Sequence, residues 1–491
     1  MKNTDTVKRT VNNAFFILIA RASELVSGLL IIVLISRYLG VKDFGIYAFI
    51  TAVSLMLAPV IQLGSSRIII REISVNRNQT SGFVTSGFIL NVCMSLLALL
   101  ISALIAVIFN LSSAVYIIAL SLAILTQTLS AMAYTFKAVF IAYEKAVYNS
   151  VTTALTRLLA IISIFFVIRL DMGFIYLFMA LTAVSAFGAC FSFYILHFQI
   201  AKIKLEVNLK LLKYLYKETF PIAISVFFAQ GFAYTNVFLL KIFHDVVQIS
   251  FFQAPQRIIT PSIIMYGAAM LAFFPMLARA SANNAIDDLK YILTKMIKYT
   301  IILTIPICLC VTVFASKITL LLFGNQFAGA TVPFQILTWL IIPAFINFLL
   351  VQMLTVIKKQ RVLITTNGIG YFINLMMGLA LVNKYASVGI CWASLFSYIA
   401  LAMVNFYCVS KYLGLIPMHK IILRPLIAGS VMWGFLYQFA DKVNIVPFII
   451  GSFVIYCSSL FLLKTFSRDE IDIFKVGFFQ RSGNRPAKRI K

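Results

Sequence analysis

Fourteen times along this chain an apolar run of about 17 to 25 residues is broken by a short polar stretch. At ~1.5 Å per residue each run reaches across a hydrocarbon core of ~30 Å. In lipid such runs satisfy their backbones only as helices, because an open sheet edge leaves N–H and C=O groups without partners. The runs lie near 12–36, 44–66, 83–109, 112–136, 148–168, 174–197, 218–241, 257–278, 299–315, 330–357, 362–382, 387–410, 422–440 and 445–463. They predict an all-α, polytopic membrane protein. With 62% hydrophobic and 11% charged residues, the chain departs from an ordinary soluble domain, in which about 25% are charged.

The net charge of +26 does not point to nucleic acid, whose readers gather their cations on one face or arm. Here the cations fall in short clusters between apolar runs and act as a topology signal. With both termini on the cytoplasmic side, the inner loops and tails hold 31 Lys and Arg and the outer loops 8. Lys2, Lys8 and Arg9 resemble the start of a signal peptide. The run that follows is too long for one, holds Arg21 and Glu24, and shows no small-residue cleavage site, so it reads as an uncleaved first span. The seven cysteines lie within or at the ends of apolar runs and read as small buried hydrophobes, with neither a metal nor a disulfide framework.

Three charges lie deep inside spans. Arg21 is ~12 Å and Glu24 ~16 Å from the Asn13 end of the first helix, too far to snorkel easily, and three residues apart they share a face. Arg157 sits about ten residues inside the fifth span. A charge near the bilayer centre costs at least ~2.5 kcal/mol, so such residues face a bundle interior or a water-filled cavity. Two roles fit: a buried pair that fixes helix packing, or a substrate or ion pathway. Glu24 is the one acid deep in a span and hence the candidate for proton or sodium coupling, although a neighbouring arginine discourages its protonation. Arg37, Lys241 and Arg257 fall at outer span ends, where they form an exit-side ring or serve as interfacial anchors. Gln230, Tyr234 and Lys241 make one stripe of the seventh span, while Asn236 points elsewhere; Asn367, Gly370, Asn374 and Gly378 make a stripe suited to close helix packing.

The outer loops are short. The longest polar stretches, 198–217 and 279–298, are cytoplasmic; the first is a basic linker that suits an anionic lipid surface. The tail from Lys464 to Lys491 is basic and reads as disordered beyond Phe479. A faint repeat relates 12–71 to 219–279: each runs helix, outer turn with aromatic and small residues (44–47 and 250–254), then a proline-bearing helix ending in an arginine.

The motif Arg37-Tyr38-Leu39-Gly40-x-x-x-Phe44-Gly45-Ile46-Tyr47, the pair Leu63-Gly64, and Pro255 to Arg257 followed by Phe273-Phe274-Pro275 resemble the polysaccharide-export branch of the multidrug/oligosaccharidyl-lipid/polysaccharide exporter superfamily, O-antigen flippases most of all. The resemblance covers essentially the whole chain. It implies two pseudo-symmetric six-helix lobes around a cation-lined cavity that opens alternately to each side, with two additional C-terminal helices. The corresponding division is 1–200 for the N-terminal lobe, 201–217 for the linker, 218–412 for the C-terminal lobe, 413–464 for the extra helices and 465–491 for the tail. The implied substrate is an undecaprenyl-pyrophosphate-linked oligosaccharide, moved between leaflets of a prokaryotic cytoplasmic membrane for lipopolysaccharide O-antigen, capsule or exopolysaccharide, with a glycan polymerase as a candidate partner. Relatives often carry an acid midway along the seventh span where this chain has Asn236, so no coupling carboxylate is carried over there.

Chemistry then assigns Arg21, Glu24, Arg157, Gln230, Tyr234 and Asn236 to a substrate cavity. Guanidinium groups grip phosphate oxygens bidentately and stay charged when desolvated; amides and aromatic faces suit sugars. A drug exporter of the same superfamily is the first rival, and the 15 acids, nearly all in loops, disfavour it. A membrane glycan polymerase or glycosyltransferase is the second; the longest outer stretch, 242–256, offers only His244 and Asp245. No Gly-rich nucleotide loop, carboxylate pair or histidine cluster calls for a cofactor or catalytic centre.

Overall fold

The structure, a computed structural model, describes the backbone of residues 2–466 apart from 110, 112, 205–206, 271–272, 284, 360 and 440–444. Side chains are described over the same range apart from 2–23, 225, 228–229, 275, 420, 439 and 445–447. The first element, α1 (Lys2–Gln62), contains the first two predicted spans, divided at Gly40, whose φ of 68° and ψ of −179° break the helix. Glycine takes that left-handed φ without the Cβ penalty other residues meet. After a left-handed Leu63-Gly64 corner come α2 (Ser65–Val75), α3 (Thr80–Ile108), α4 (Ala114–Ala142), α5 (Ala146–Arg169) and α6 (Phe174–Ile195). They form one lobe, in which α4 packs on α6 and α3, and α5 on α1 and α6.

The second lobe comprises α7 (Leu209–Phe243), α8 (Val246–Met270), α9 (Phe274–Ala282), α10 (Ile286–Phe323), α11 (Thr331–Trp339), α12 (Ile341–Val356) and α13 (Val362–Leu413). The last contains two predicted spans, divided at Ala386 (φ 47°, ψ −127°). Beside that break Ser387 Oγ donates to Gln248 Oε1 at 2.7 Å, so α8 braces the corner. Finally α14 (Met418–Phe439) packs on α10, and α15 (Ile445–Leu462) on α14. Nine segments among the described residues are long and apolar enough to cross a membrane, two of them the pairs broken at Gly40 and Ala386. The chain is a multi-pass, all-α membrane protein. With each limb taken separately and α11 and α12 as one rod, the helices follow the predicted runs in order. The tail from 467 onward lies outside the described residues.

Several boundaries differ from expectation: the helix expected over 299–315 runs Ile286–Phe323, and two further shifts bear on the lobe contact. The seventh helix starts at Leu209, not 218, because Asn208 caps it, its side chain accepting from the backbone of Lys210 (3.0 Å) and Leu211 (3.2 Å). Leu215 and Thr219, one turn apart, are fully buried, and Leu215 joins a small apolar core with Ile68, Ile69, Phe83 and Phe140. Half of the basic linker is thus the first turns of α7 standing against the first lobe. The eighth helix starts at Val246, so the expected outer turn over 250–254 is helical and the connection shrinks to His244-Asp245. Ser250 (0% exposed) and Gln253 (2%) are buried; polar side chains sunk in a helix contact give the composition of a loop. The second limb of α1 lies against α7 and α8, and this seam joins the lobes.

Candidate functional site

Among the described residues, two groups of polar side chains that include cations sit within the bundle. The first lies in the lobe seam. Arg257, expected at the outer start of a helix, is eleven residues into α8, ~17 Å along its axis. Its Nη2 donates to Thr51 Oγ1 across the seam at 3.3 Å. Thr51 is eleven residues past Gly40 on α1, the same ~17 Å from the break there, and its hydroxyl also donates to the Tyr47 carbonyl at 2.9 Å. Tyr47 of α1 and Tyr234 of α7 both feel the Arg257 charge. Gln230, half-buried, is one turn along α7 from Tyr234. The structure therefore gathers Arg257, Tyr234, Tyr47 and Thr51 at mid-span, and moves Arg257 away from the other two exit-side cations.

Those two remain near helix ends. The Arg37 guanidinium donates to backbone carbonyls at the end of α10. Lys241 lies 5.9 Å from the centre of the Phe49 ring, in a cleft shared with Ser113 and Tyr116.

The second group is inside the first lobe. Lys137 of α4 donates from Nζ to Thr153 Oγ1 of α5 at 3.0 Å, and it lies within electrostatic reach of Glu24 on α1 and Arg157 on α5. Three helices thus converge two cations and one carboxylate. Arg21 precedes Glu24 by three residues on the same helix, and its side chain lies outside the described residues. Lys137 corrects the sequence assignment, which ended the fourth helix at 136 and counted this lysine in an inner loop. The signal was present: Ala138-Val139-Phe140-Ile141-Ala142 continues the apolar run for five residues beyond it, and the helix continues with them.

Asn236 belongs to neither group. It is 3% exposed, donates to Ser394 Oγ at 2.9 Å and accepts from Asn374 Nδ2 at 3.2 Å. A Cβ on Gly378 would stand 2.7 Å from Leu239, and one on Gly370 3.2 Å from Leu401. Asn236, Leu239 and Gly378 pack α7 on α13, and Gly370 with Leu401 packs the two limbs of α13 on each other, as the small-residue stripe predicts; Asn367 at its end is exposed. Among the described residues no three His, Cys, Asp or Glu side chains are grouped to hold a metal ion.

The family described as Polysaccharide biosynthesis protein matches residues 10–281. A curated relative in Haloferax volcanii, "Probable low-salt glycan biosynthesis flippase Agl15", is 19% identical over 214 residues, 44% of this chain. The match spans 45% of that relative's length. Among solved structures, the inward closed conformation of the lipid II flippase MurJ superposes with a TM-score of 0.75 at 16% identity, covering 96% of this chain and 99% of that one. An inward-facing multidrug resistance MATE family transporter superposes at 0.67 with 14% identity, covering 80% and 94%. At these identities the likeness is one of fold.

Proposed function

Because the chain belongs to the polysaccharide biosynthesis protein family, we propose that it is a flippase. Its substrate is an undecaprenyl-pyrophosphate-linked oligosaccharide repeat unit, carried from the inner to the outer leaflet of a prokaryotic cytoplasmic membrane for O-antigen, capsule or exopolysaccharide. The observation that carries this reading is the cationic group inside the first lobe, Lys137 and Arg157 with Glu24. A pyrophosphate crossing hydrocarbon needs fixed positive charge to replace its water, and cations within a bundle supply it where a polyprenyl tail can stay in lipid. Arg21, three residues before Glu24 in the sequence, is a further candidate cation. Arg257, Tyr234, Gln230 and Thr51 offer the donors and aromatic faces that sugars take, and their place in the seam suits a site opened to each side in turn by rocking of the two lobes. Both termini are cytoplasmic in this reading, and Glu24 is the candidate for proton or sodium coupling.

The test uses a strain lacking the gene: lipid-linked intermediates are extracted, and their leaflet is determined in spheroplasts. Complete repeat units held on the inner leaflet, and released by the restored gene, are the expected result. Outer-leaflet repeat units without polymer would place the protein at a later enzymatic step. Unchanged intermediates would favour the small-molecule exporter that the MATE-like fold also allows.

A further inference from the structure

The outer end of the seam is held by a contact that the substrate reading does not use. Near the end of a helix the carbonyls have lost their intrahelical donors and carry the negative end of the dipole. In α10, which ends at Phe323, two of them are taken by the other lobe. Arg37 Nε donates to the Leu322 carbonyl at 2.8 Å, and Nη2 donates to the Leu321 carbonyl. The planar guanidinium fork fits two neighbouring acceptors at once, which an ammonium cannot do.

The following residues tighten the same junction. Ser250 Oγ donates to the Val41 carbonyl at 2.5 Å. Phe44 meets Phe327 edge to face at 5.5 Å between centroids. A Cβ on Gly40 would stand 2.7 Å from Gln326 Oε1, and one on Gly45 only 2.0 Å from the Val246 carbonyl oxygen, so the lobes touch there backbone to backbone. Tyr38 faces the opposite way: its hydroxyl donates to Asp171 Oδ1 at 2.9 Å and accepts from the Gly173 amide at 2.9 Å. Of two adjacent side chains, one fixes the turn to its own lobe and the other grips the partner lobe.

We propose that Arg37 is a gating residue. Its hold on the end of α10 latches the outer seam, and the latch releases whenever the cavity opens outward, with Tyr38 keeping the turn in place. Because Arg37 is exposed, water replaces its bonds on release, so the catch is weak enough to cycle. The proposal rests on the alternating-access reading above.

The test places a reporter cysteine at Ala254, which is fully buried one turn along α8 from Ser250 on the same face. Spheroplasts are treated with a membrane-impermeant maleimide, and the rate is compared with that of the parent and its seven native cysteines. In Ala254→Cys alone labelling is slow. Adding Arg37→Ala is expected to raise the rate at least threefold at unchanged abundance and melting temperature, with Arg37→Lys intermediate. Gly45→Ala, which wedges the seam without touching Arg37, is expected to raise it as well. Equal rates for Arg37 and its alanine and lysine variants overturn the latch, whatever happens to export. Leaflet assays in the same cells read the premise separately: failure of the parent to flip lipid-linked glycan counts against the flippase reading and leaves the labelling comparison intact.

Discussion

Lys137 shows how a single side chain changes the chemistry of a membrane bundle. Five residues short of the end of α4, it turns inward to Thr153 and adds a second described cation beside Glu24 and Arg157. Lys137→Met should lower export at least tenfold while leaving the protein's abundance in the membrane unchanged, as read by surface glycan and by immunoblot of membranes. Lys137→Arg should retain most activity, since the charge persists. Arg21→Ala should also impair export without loss of insertion, and wild-type glycan in that variant would remove Arg21 from the cavity. Arg21→Lys discriminates further: partial function indicates bidentate phosphate contact, and full function a point charge alone. The intramembrane charges Arg21, Glu24 and Arg157 are visible in the sequence because each interrupts an apolar run. Lys137 and Arg257 escaped because each lies at the end of an expected span, and only the helix boundary decides on which side a cation falls.

For the elements, burial and polarity had to be separated. The apolar runs state the helices almost directly, since lipid permits no other use of them. Where a helix buries polar side chains against a neighbour, that signal reverses, as at Ser250 and Gln253 of α8. Two prolines, Pro255 and Pro261, stand inside this helix without ending it. Asn236 was assigned to the cavity although it lies off the Gln230–Tyr234 stripe; its partners Ser394 and Asn374 are 158 and 138 residues away and no local pattern reveals them. Asn236→Ala should cost about 1 kcal/mol in unfolding experiments on the purified protein in lipid, the scale of interhelical hydrogen bonds in membranes, with export within about twofold of normal. Lost export at unchanged stability would return Asn236 to the cavity.

On the scale of the molecule, the helices follow the predicted runs in order, and α1 packs on α8. Removing Lys137 and Arg257 from the loop tally leaves 30 inner cations against 7 outer ones, so the orientation argument survives both corrections. A phosphatase fused after Asp171 should then be active, and a fluorescent protein at the C-terminus should be bright; the reverse pattern would invert the topology. The position of α10 has a mechanical consequence. Arg37 grips one end of this rod, and α14 is packed along it with α15 attached behind. In the gating proposed above, the last two helices ride on the same axle that the outer gate must turn. Anything that clamps them, whether a neighbouring protein or a stiffer bilayer, acts as a brake on the cycle without approaching the cavity.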